Sequence, residues 1–226
     1  VMTSCNGCIV KLIRYQGLAA HAGSSPHKGI NALNAAHIAL AAIHAQRETF
    51  KDEDAIRVHP IITRGGDLVN VVPADVRLET FVRGKTNEAI MDANIKVDRA
   101  LRAGAMAIGA KVEIDTLPGY MPLRDDRAMQ KLFMQNARAL FGAEECTEIG
   151  HRTGSTDMGD ISHIMPAVHP SMSGASGISH GNDFMISDKE MAYSAPAKAL
   201  ALMAVDLLYD NAEKAKDIQA QHKPIN

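Results

Sequence analysis

Histidine, arginine and hydroxyl residues lie beside glycines at several points of this sequence, where they could bind anions or a polarised carbonyl group. His21 lies in an Ala-Ala-His-Ala-Gly-Ser segment, and an imidazole there could donate a hydrogen bond to a developing oxyanion. Asn70 precedes a predicted strand and Arg83 ends the same strand, where a guanidinium is well shaped for a carboxylate. The residues alone favour a turn histidine bonded to backbone and a solvated arginine.

The densest polar segment runs from His151 to Asp160. Within it, Gly154 is expected to permit an unusual backbone turn, and the hydroxyls of Ser155 and Thr156 could bind an anion together with backbone N–H groups. The segment is not a phosphate-binding P-loop, because no Gly-Lys-Ser/Thr follows, and it lacks the Gly-x-Ser-x-Gly of a nucleophile elbow.

His180 is an isolated histidine in a Ser-His-Gly-Asn-Asp segment. Zinc sites need three or four ligands, so one loop histidine is a weak signal. Asp157, Asp160 and His163 could join it, but their spacing is not diagnostic of a metal site.

Hydrophobic periodicity predicts how these residues are positioned. In the first half, the alternation of apolar and polar residues predicts strands, and apolar residues at helical spacing predict two helices. The predicted order is strand, helix, strand, strand, helix, strand, which is the ferredoxin-like βαββαβ plan of the α+β class. The predicted elements are Ile9–Gln16, Gly29–Gln46, Ile56–Thr63, a strand from Val76 to Arg83, a helix capped by Thr86, and a strand through Val112 and Ile114 that closes near Leu117.

The second half has a different composition. Asp125 and Asp126 are expected to start a helix that Gly142 ends, and a long helix is expected after Pro196. We therefore predict two domains, residues 1–117 and residues 118–226, with Pro118–Pro122 as the linker.

Composition excludes several classes of partner. The net charge of the 226 residues is −2, with 4% aromatic residues and no tryptophan, which disfavours nucleic acid. Lys198 and Asp206 interrupt the longest apolar stretch, so no membrane span is expected, and no signal peptide is visible. Three cysteines in an odd count favour reduced thiols and a cytoplasmic location.

Four motifs together resemble a known family. They are Gly17–Gly23 followed by Pro26 and Gly29–Ala32, then Asn70–Pro73, then Arg83, then Gly154–Ser162 with Pro166 and His169-Pro170. In this order they are similar to the lid domain and C-terminal segment of the dinuclear metallopeptidase family of carboxypeptidase G, aminoacylase and succinyl-diaminopimelate desuccinylase. The last motif most resembles the branch that contains the B-type subunit of aminobenzoyl-glutamate hydrolase.

The resemblance implies a homodimer formed through the lid, in which His21 reaches the partner subunit's active site and stabilises the tetrahedral oxyanion. Asn70 and Arg83 would hold the substrate, Gly154, Ser155 and Thr156 would line its pocket, and His180 would be the last metal ligand. In the family, two divalent ions, zinc or manganese, polarise the amide carbonyl and activate a bridging water, and a glutamate acts as the general base.

The family's other metal ligands and its glutamate base precede the lid. No His-x-Asp and no Glu-Glu pair precedes His21, and Glu144-Glu145 follows the lid. The expected function is therefore that of the C-terminal portion of a metal-dependent amidohydrolase, inactive alone and metal-free or weakly metal-binding. Its substrate would be an N-acyl amino acid, an aminobenzoyl-glutamate-like compound or a dipeptide.

Two alternatives stay open at this point. The first is a non-catalytic dimerisation or small-ligand-binding module that retains the lid fold. The second is an RNA-binding domain of the same strand order, which is disfavoured because Phe81 is nearly the only aromatic residue on the predicted sheet face.

Overall fold

The computed structural model describes residues 1–224 and divides the chain into two compact units. The sheet unit comprises Asn6–Pro122 and Thr153–Thr156, and the helical unit comprises Val1–Cys5, Leu123–Arg152 and the chain from Asp157 onward. The strands are β1 (Ser4–Cys5), β2 (Gly7–Gln16), β3 (Arg57–Val58), β4 (Ile61–Arg64), β5 (Asp75–Gly84), β6 (Lys111–Pro118), β7 (Leu123–Arg124), β8 (Ala175–Ser176) and β9 (Met185–Ile186). The α-helices are α1 (Ala32–Gln46), α2 (Asn87–Ile108), α3 (Arg127–Phe141), α4 (Met158–Ile164) and α5 (Ala195–Gln221).

The sheet unit confirms the predicted α+β class. Its antiparallel sheet has the order β3–β5–β2–β6, with β4 also paired to β5, and α1 and α2 pack on one face. The predicted strand Ile56–Thr63 is split into β3 and β4 at His59-Pro60, because proline has no N–H to donate to the ladder.

Strand β5 alternates as predicted between a buried and an open face. Its even-numbered residues, among them Val76, Leu78 and Val82, are buried in the core shared with the two helices. The two helices approach closely at Gly104, where an added Cβ would collide with the backbone oxygen of Ala35. Glycine is therefore required there by the packing of α1 on α2.

Lys11 is a buried cation in the middle of this core. It lies on β2 with no exposed surface, and its Nζ donates to Asp98 Oδ1 of α2 and to Thr116 Oγ1 of β6, each at 2.6 Å. An unpaired ammonium in an apolar interior would be very costly, so Asp98 is its necessary partner.

Side-chain caps begin helices α1, α2 and α3. Thr86 Oγ1 accepts a hydrogen bond from the N–H of Ala89 and caps α2 as predicted. Helix α1 begins later than the predicted Gly29 because Asn31 Oδ1 accepts from the N–H groups of Leu33 and Asn34 in the first turn. These are first-turn donors that a helix cannot satisfy itself.

The helical unit is built on the packing of α3 against α5. Phe133, Met134 and Ala137 of α3 lie in one buried cluster with Ala199 and Met203 of α5. Helix α3 starts after Asp126, which caps it, and ends at Gly142, which has a φ of +96°. Both ends agree with the sequence prediction.

The last helix is long and apolar. By length and composition alone, the helical segment Glu190–Gln221 is able to cross a membrane, although Lys198 and Asp206 led us to expect no span. Asp206 accepts a hydrogen bond from Asn136 at 2.8 Å, which joins this helix to α3. Its backbone departs from helical geometry between Tyr209 and Ala212, and the helix continues after Ala212.

The observed division of the chain differs from the predicted one at both ends of the first domain. Val1–Cys5 belong to the helical unit because β1 pairs with β7. The sheet unit continues past residue 117 to Pro122, because the backbone of Tyr120 exchanges two hydrogen bonds with Cys8, at 2.8 and 3.1 Å. The predicted linker is thus part of the sheet unit.

Asp125 should make the stability of the chain depend on pH. Burial raises the pKa of its carboxyl from 3.8 to about 6, although the backbone N–H of His169 donates to Oδ1. Oδ2 has no hydrogen-bond partner among residues 1–224. The folded chain holds this proton more tightly than the unfolded chain, so the free energy of unfolding falls as pH rises from about 4 to 6.

Replacing Asp125 with asparagine should therefore stabilise the chain at pH 7, by at most about 3 kcal/mol, and the gain should vanish near pH 4. Urea unfolding of both proteins across this pH range measures the difference. Asp126→Asn is the matched control, since asparagine also caps helices well. A gain that is the same at pH 4 and pH 7 would contradict the role of ionisation.

Candidate active site

His21 and Asn70 lie on two loops of the sheet unit whose backbones pair with each other. The segments after β2 and before β5 pair as a short antiparallel ladder in which His21 faces Val71. The N–H of Ala22 donates to the backbone oxygen of Asn70, and the N–H of Val72 donates to Ala20, each at 2.9 Å. Two predicted site residues that are distant in sequence are thus held together by backbone hydrogen bonds.

The backbone around His21 determines where its imidazole carries a proton. Nδ1 accepts from the N–H groups of Gly23 and Ser24, each at 3.1 Å. A ring nitrogen that accepts two N–H groups carries no hydrogen, so the neutral ring is protonated at Nε2. The side chain is exposed, and Nε2–H is therefore available to donate to a bound molecule.

Asn70 is also exposed. Its backbone oxygen is used by Ala22, while its side-chain amide makes no hydrogen bond within residues 1–224. The amide can therefore donate to and accept from a ligand.

Arg83 lies near the opposite end of β5, on the open face of the sheet. Its guanidinium is 5.0 Å from the centre of the Phe81 ring, and Nη1 lies 3.5 Å from Ser155 Oγ. Thr153–Thr156 belong to the sheet unit, so the structure places Arg83 beside the Gly154–Thr156 segment, which the resemblance had assigned to the substrate pocket.

The expectation that Gly154 provides an unusual backbone turn is wrong. Gly154 is absent from the residues with positive φ, and an added Cβ would meet no atom within 4 Å. A Cβ at this position would therefore meet no steric obstacle, and the segment offers its hydroxyl groups rather than a special conformation.

The segments of His21 and Asn70 lie at one end of the sheet, and Arg83 with Ser155 lies at the other. Strands β2 and β5 pair along their whole length, and Gln16 and Asp75 meet at one end while Gly7 and Gly84 meet at the other. A strand of ten residues is about 30 Å long. One small substrate therefore cannot contact both His21 and Arg83 of the same chain.

His180 lies in the helical unit and is exposed in a turn, with a φ of +67°. No group of three or more His, Cys, Asp or Glu side chains that could hold a metal ion occurs in the described part of the chain. Asp157, Asp160 and His163 thus do not form a ligand set with His180. The side chains of residues 1–224 do not by themselves fit a pair of divalent ions.

A cavity of about 560 Å³ contains none of the predicted site residues. It lies in the helical unit and is lined mainly by apolar side chains such as Phe133, Met134 and Met172. A smaller cavity of about 380 Å³ adjoins Arg83 in the sheet unit. We take the smaller cavity as the chemically relevant one because it is rich in hydrogen-bond donors.

Sequence reasoning missed three residues of this smaller cavity, namely Arg57, His59 and Thr153. Arg57 and His59 could have been found, because strand alternation places both on the open face of the sheet together with Arg83. Only the register between β3 and β5 shows that they are neighbours of Arg83.

Comparison with known families matches the peptidase dimerisation domain of the M20 type to residues 9–107. The chain is 32% identical over 206 residues to human Xaa-Arg dipeptidase, covering 87% of this chain and 47% of that protein. It is 36% identical over 102 residues to the A-type subunit of Escherichia coli p-aminobenzoyl-glutamate hydrolase, covering 44% of this chain and 22% of that protein.

Solved structures give the same fold. An aminopeptidase of Bacillus cereus is similar with a TM-score of 0.66 at 22% identity, over 89% of this chain and 52% of the aminopeptidase. The chain spans about half the length of human Xaa-Arg dipeptidase and less of the bacterial hydrolase.

Proposed function

Because residues 9–107 of this chain belong to the M20 family of peptidase dimerisation domains, we propose that the complete protein is a metal-dependent amidohydrolase. The resemblance found in the sequence is confirmed, and the A-type subunit of aminobenzoyl-glutamate hydrolase is among the curated relatives. The proposed substrates are N-acyl amino acids, dipeptides or aminobenzoyl-glutamate-like compounds. Relatives are named for Xaa-Arg dipeptides and for p-aminobenzoyl-glutamate.

The separation of His21 from Arg83 along the sheet is the observation that carries this proposal. His21 offers an Nε2–H donor at one end, and Arg83 offers a carboxylate-binding guanidinium at the other. In a two-fold symmetric dimer, His21 and Asn70 of one chain complete the site that contains Arg83 of the other. His21 would then donate to the oxyanion formed on the amide carbonyl, and Asn70 would orient the substrate.

An exposed apolar surface of the sheet unit supports a homodimer. Strand β4 pairs only with β5 among the described strands, and its Ile61 and Ile62 are exposed. Leu68 and Val69 project from the loop that follows, and Val69 is fully exposed. An uncovered strand edge with apolar side chains is a typical surface for association.

Divalent metals are general in M20 peptidases, and we propose zinc or manganese for the complete protein. The described residues supply no ligand set, so we propose that this chain alone is inactive and binds metal weakly or not at all. We also propose a cytoplasmic location, in keeping with its three free cysteines.

The proposal is tested by assaying the complete protein, with zinc or manganese, on N-acetyl amino acids, dipeptides and aminobenzoyl-glutamate. We expect hydrolysis of at least one of these amides and loss of activity after chelation. A complete protein that is dimeric and metal-loaded but cleaves none of them would favour the non-catalytic ligand-binding module.

His180 is proposed as the one metal ligand from this chain. His180→Asn in the complete protein should lower the bound metal per protomer by about half, since one of two sites loses a ligand. Asparagine is the suitable replacement because it tolerates the left-handed backbone of His180. Metal analysis of the purified variant measures this effect, with the exposed His27→Asn as the control. Unchanged metal content would remove His180 from the ligand set.

A further inference from the structure

The loop between β4 and β5, residues 65–74, presents Asn70 on an exposed turn. Residues 66–71 all lie on the surface, so they are not held by burial in the core. A segment with few buried contacts keeps one conformation only where polar contacts hold it. The hydrogen bonds and ion pairs of this loop therefore decide where the amide of Asn70 lies.

Backbone hydrogen bonds hold the second half of the loop. The N–H of Val71 donates to the backbone oxygen of Leu68 at 3.2 Å, which closes a turn around Val69 and Asn70. The N–H of Ala22 donates to the backbone oxygen of Asn70 at 2.9 Å, which fixes the end of this turn to the His21 loop. These bonds involve no atom of residues 65–67.

The guanidinium of Arg64 holds the first half of the loop. Arg64 is the last residue of β4, and its Nη2 donates to both carboxylate oxygens of Asp67, each at 2.9 Å. Its Nη1 donates to Oδ2 of Asp75, the first residue of β5, also at 2.9 Å. A planar guanidinium presents several donors in a fixed geometry, so Arg64 joins the loop to both strands that flank it.

Asp75 is a firm anchor for this bridge. It also accepts from Arg14 Nε at 2.7 Å and from Arg77 Nη2 at 3.1 Å, and its side chain is only 19% exposed. The hydrogen bond with Arg14 is the main cause that lowers the pKa of the Asp75 carboxyl. Because Arg14 lies on β2, the same carboxylate ties the bridge to the strand that leads into the His21 loop.

We propose that Arg64 is the positioning residue of Asn70. It holds Asp67 at the start of the turn, while Ala22 holds the end. A group that orients a substrate loses much of its effect when it is displaced by about 1 Å, so loosening either end lowers the rate.

The dimer determines which site Arg64 serves. Asn70 of one chain is proposed to complete the site that contains Arg83 of the other chain. Arg64 therefore acts on that site and not on the site that contains Arg83 of its own chain. The inference rests on the proposed amidohydrolase function and on the proposed dimer.

Hydrogen exchange of the complete protein tests the loop without any catalysis. In Arg64→Gln, the amides of Ala22 and Val71 should exchange about fivefold faster, as for loss of an exposed charge pair at the upper end of the usual range. Arg77→Gln is the matched control, because it removes another partner of Asp75 whose contact lies outside the loop. It should leave these amides unchanged.

Global stability separates positioning from a structural role. The side chains of Arg64 and Asp67 are 40% and 71% exposed, and exposed ion pairs contribute little to stability. The urea midpoint of Arg64→Gln should therefore equal that of the wild type. Unchanged exchange at Ala22 and Val71, or faster exchange over the whole sheet unit, overturns the inference.

Kinetics of the complete protein test the link to Asn70. Arg64→Gln should lower kcat/KM about fivefold in the wild-type background. In an Asn70→Ala background it should change kcat/KM by less than about twofold, because an absent amide needs no positioning. A loss of the same size in both backgrounds would show that Arg64 acts on another group.

Mixing of variants tests which site is affected. With Arg83→Gln as the partner, exchange of protomers should raise the activity of Arg64→Gln about threefold over the unmixed average, since each hybrid gains one intact site. With His21→Ala as the partner, the activity should not rise, because both defects lie in the same half of a site. The reverse pattern would place the effect of Arg64 in the site of its own chain and contradict the inference.

The inference and the proposed function fail separately. Hydrolysis that does not respond to Arg64→Gln contradicts the positioning role and leaves the amidohydrolase proposal intact. Absence of hydrolysis of every amide contradicts the proposed function, while hydrogen exchange still decides whether Arg64 holds the loop of Asn70.

Discussion

Replacing His21 with alanine should lower kcat of the complete enzyme by about 100-fold or more, the usual effect of losing one oxyanion donor. The structure supplies the reason, since the N–H groups of Gly23 and Ser24 occupy Nδ1 and leave the proton on the exposed Nε2. KM should change little, because the donor acts on charge that develops only in the transition state.

The matched control is His27→Ala. His27 is an exposed histidine on the same loop, in the short 3-10 turn Pro26–Lys28. The His27→Ala enzyme should retain the wild-type kcat. A His21→Ala enzyme with unchanged kcat, or with only a raised KM, would remove His21 from transition-state stabilisation.

The arrangement of the site also predicts complementation between two inactive variants. His21→Ala and Arg83→Gln homodimers should each be impaired, because every site in them lacks one residue. Random mixing should recover about a quarter of the wild-type activity, since half of the dimers are hybrids and each hybrid has one intact site. No recovery after exchange of protomers, verified by mass spectrometry, would place both residues in the site of one chain.

The second large effect concerns stability. Asp98→Ala should lower the free energy of unfolding by about 3 kcal/mol, at the lower end of the usual cost of leaving a buried charge without its partner. Lys11 has no exposed surface, whereas the Asp98 side chain is 27% exposed, so water can partly replace the lost carboxylate. Urea unfolding at constant pH and ionic strength measures the change.

The control for this prediction removes the charge itself. Lys11→Met in the Asp98→Ala background should recover most of the lost stability, because methionine fills similar space without a charge to satisfy. The double variant would then be more stable than Asp98→Ala alone. Equal free energies of unfolding for Asp98→Ala and the double variant would show that the buried ammonium of Lys11 does not cause the loss of stability.

Much of the sheet unit could be predicted because its signals are local. The alternation of Val76, Leu78 and Val82 with polar residues gave the buried face of β5, and the structure agrees. Thr86 was expected to cap α2 and does so through the N–H of Ala89. Each signal depends on residues within a few positions of one another, where periodicity and capping operate.

The site could be predicted only in part. His21, Asn70 and Arg83 were identified from motifs, and the structure pairs His21 with Asn70 and Arg83 with Ser155. Neither the distance between these pairs nor their assignment to opposite ends of one sheet follows from the motifs. That information depends on the pairing of β2 with β5 along their whole length.

The βαββαβ order of the sheet unit, the buried face of β5 and the caps of α2 and α3 follow from the sequence, because they depend on contacts between near neighbours. The partners of Lys11, Arg57 and Tyr120, by contrast, depend on the tertiary structure. Lys11 meets Asp98 across 87 positions, Arg57 faces Arg83 through strand register, and Tyr120 bonds to Cys8 across the predicted domain boundary. Strand register and helix docking fix such meetings, and a one-residue slip in register would turn every side chain of a strand to the other face.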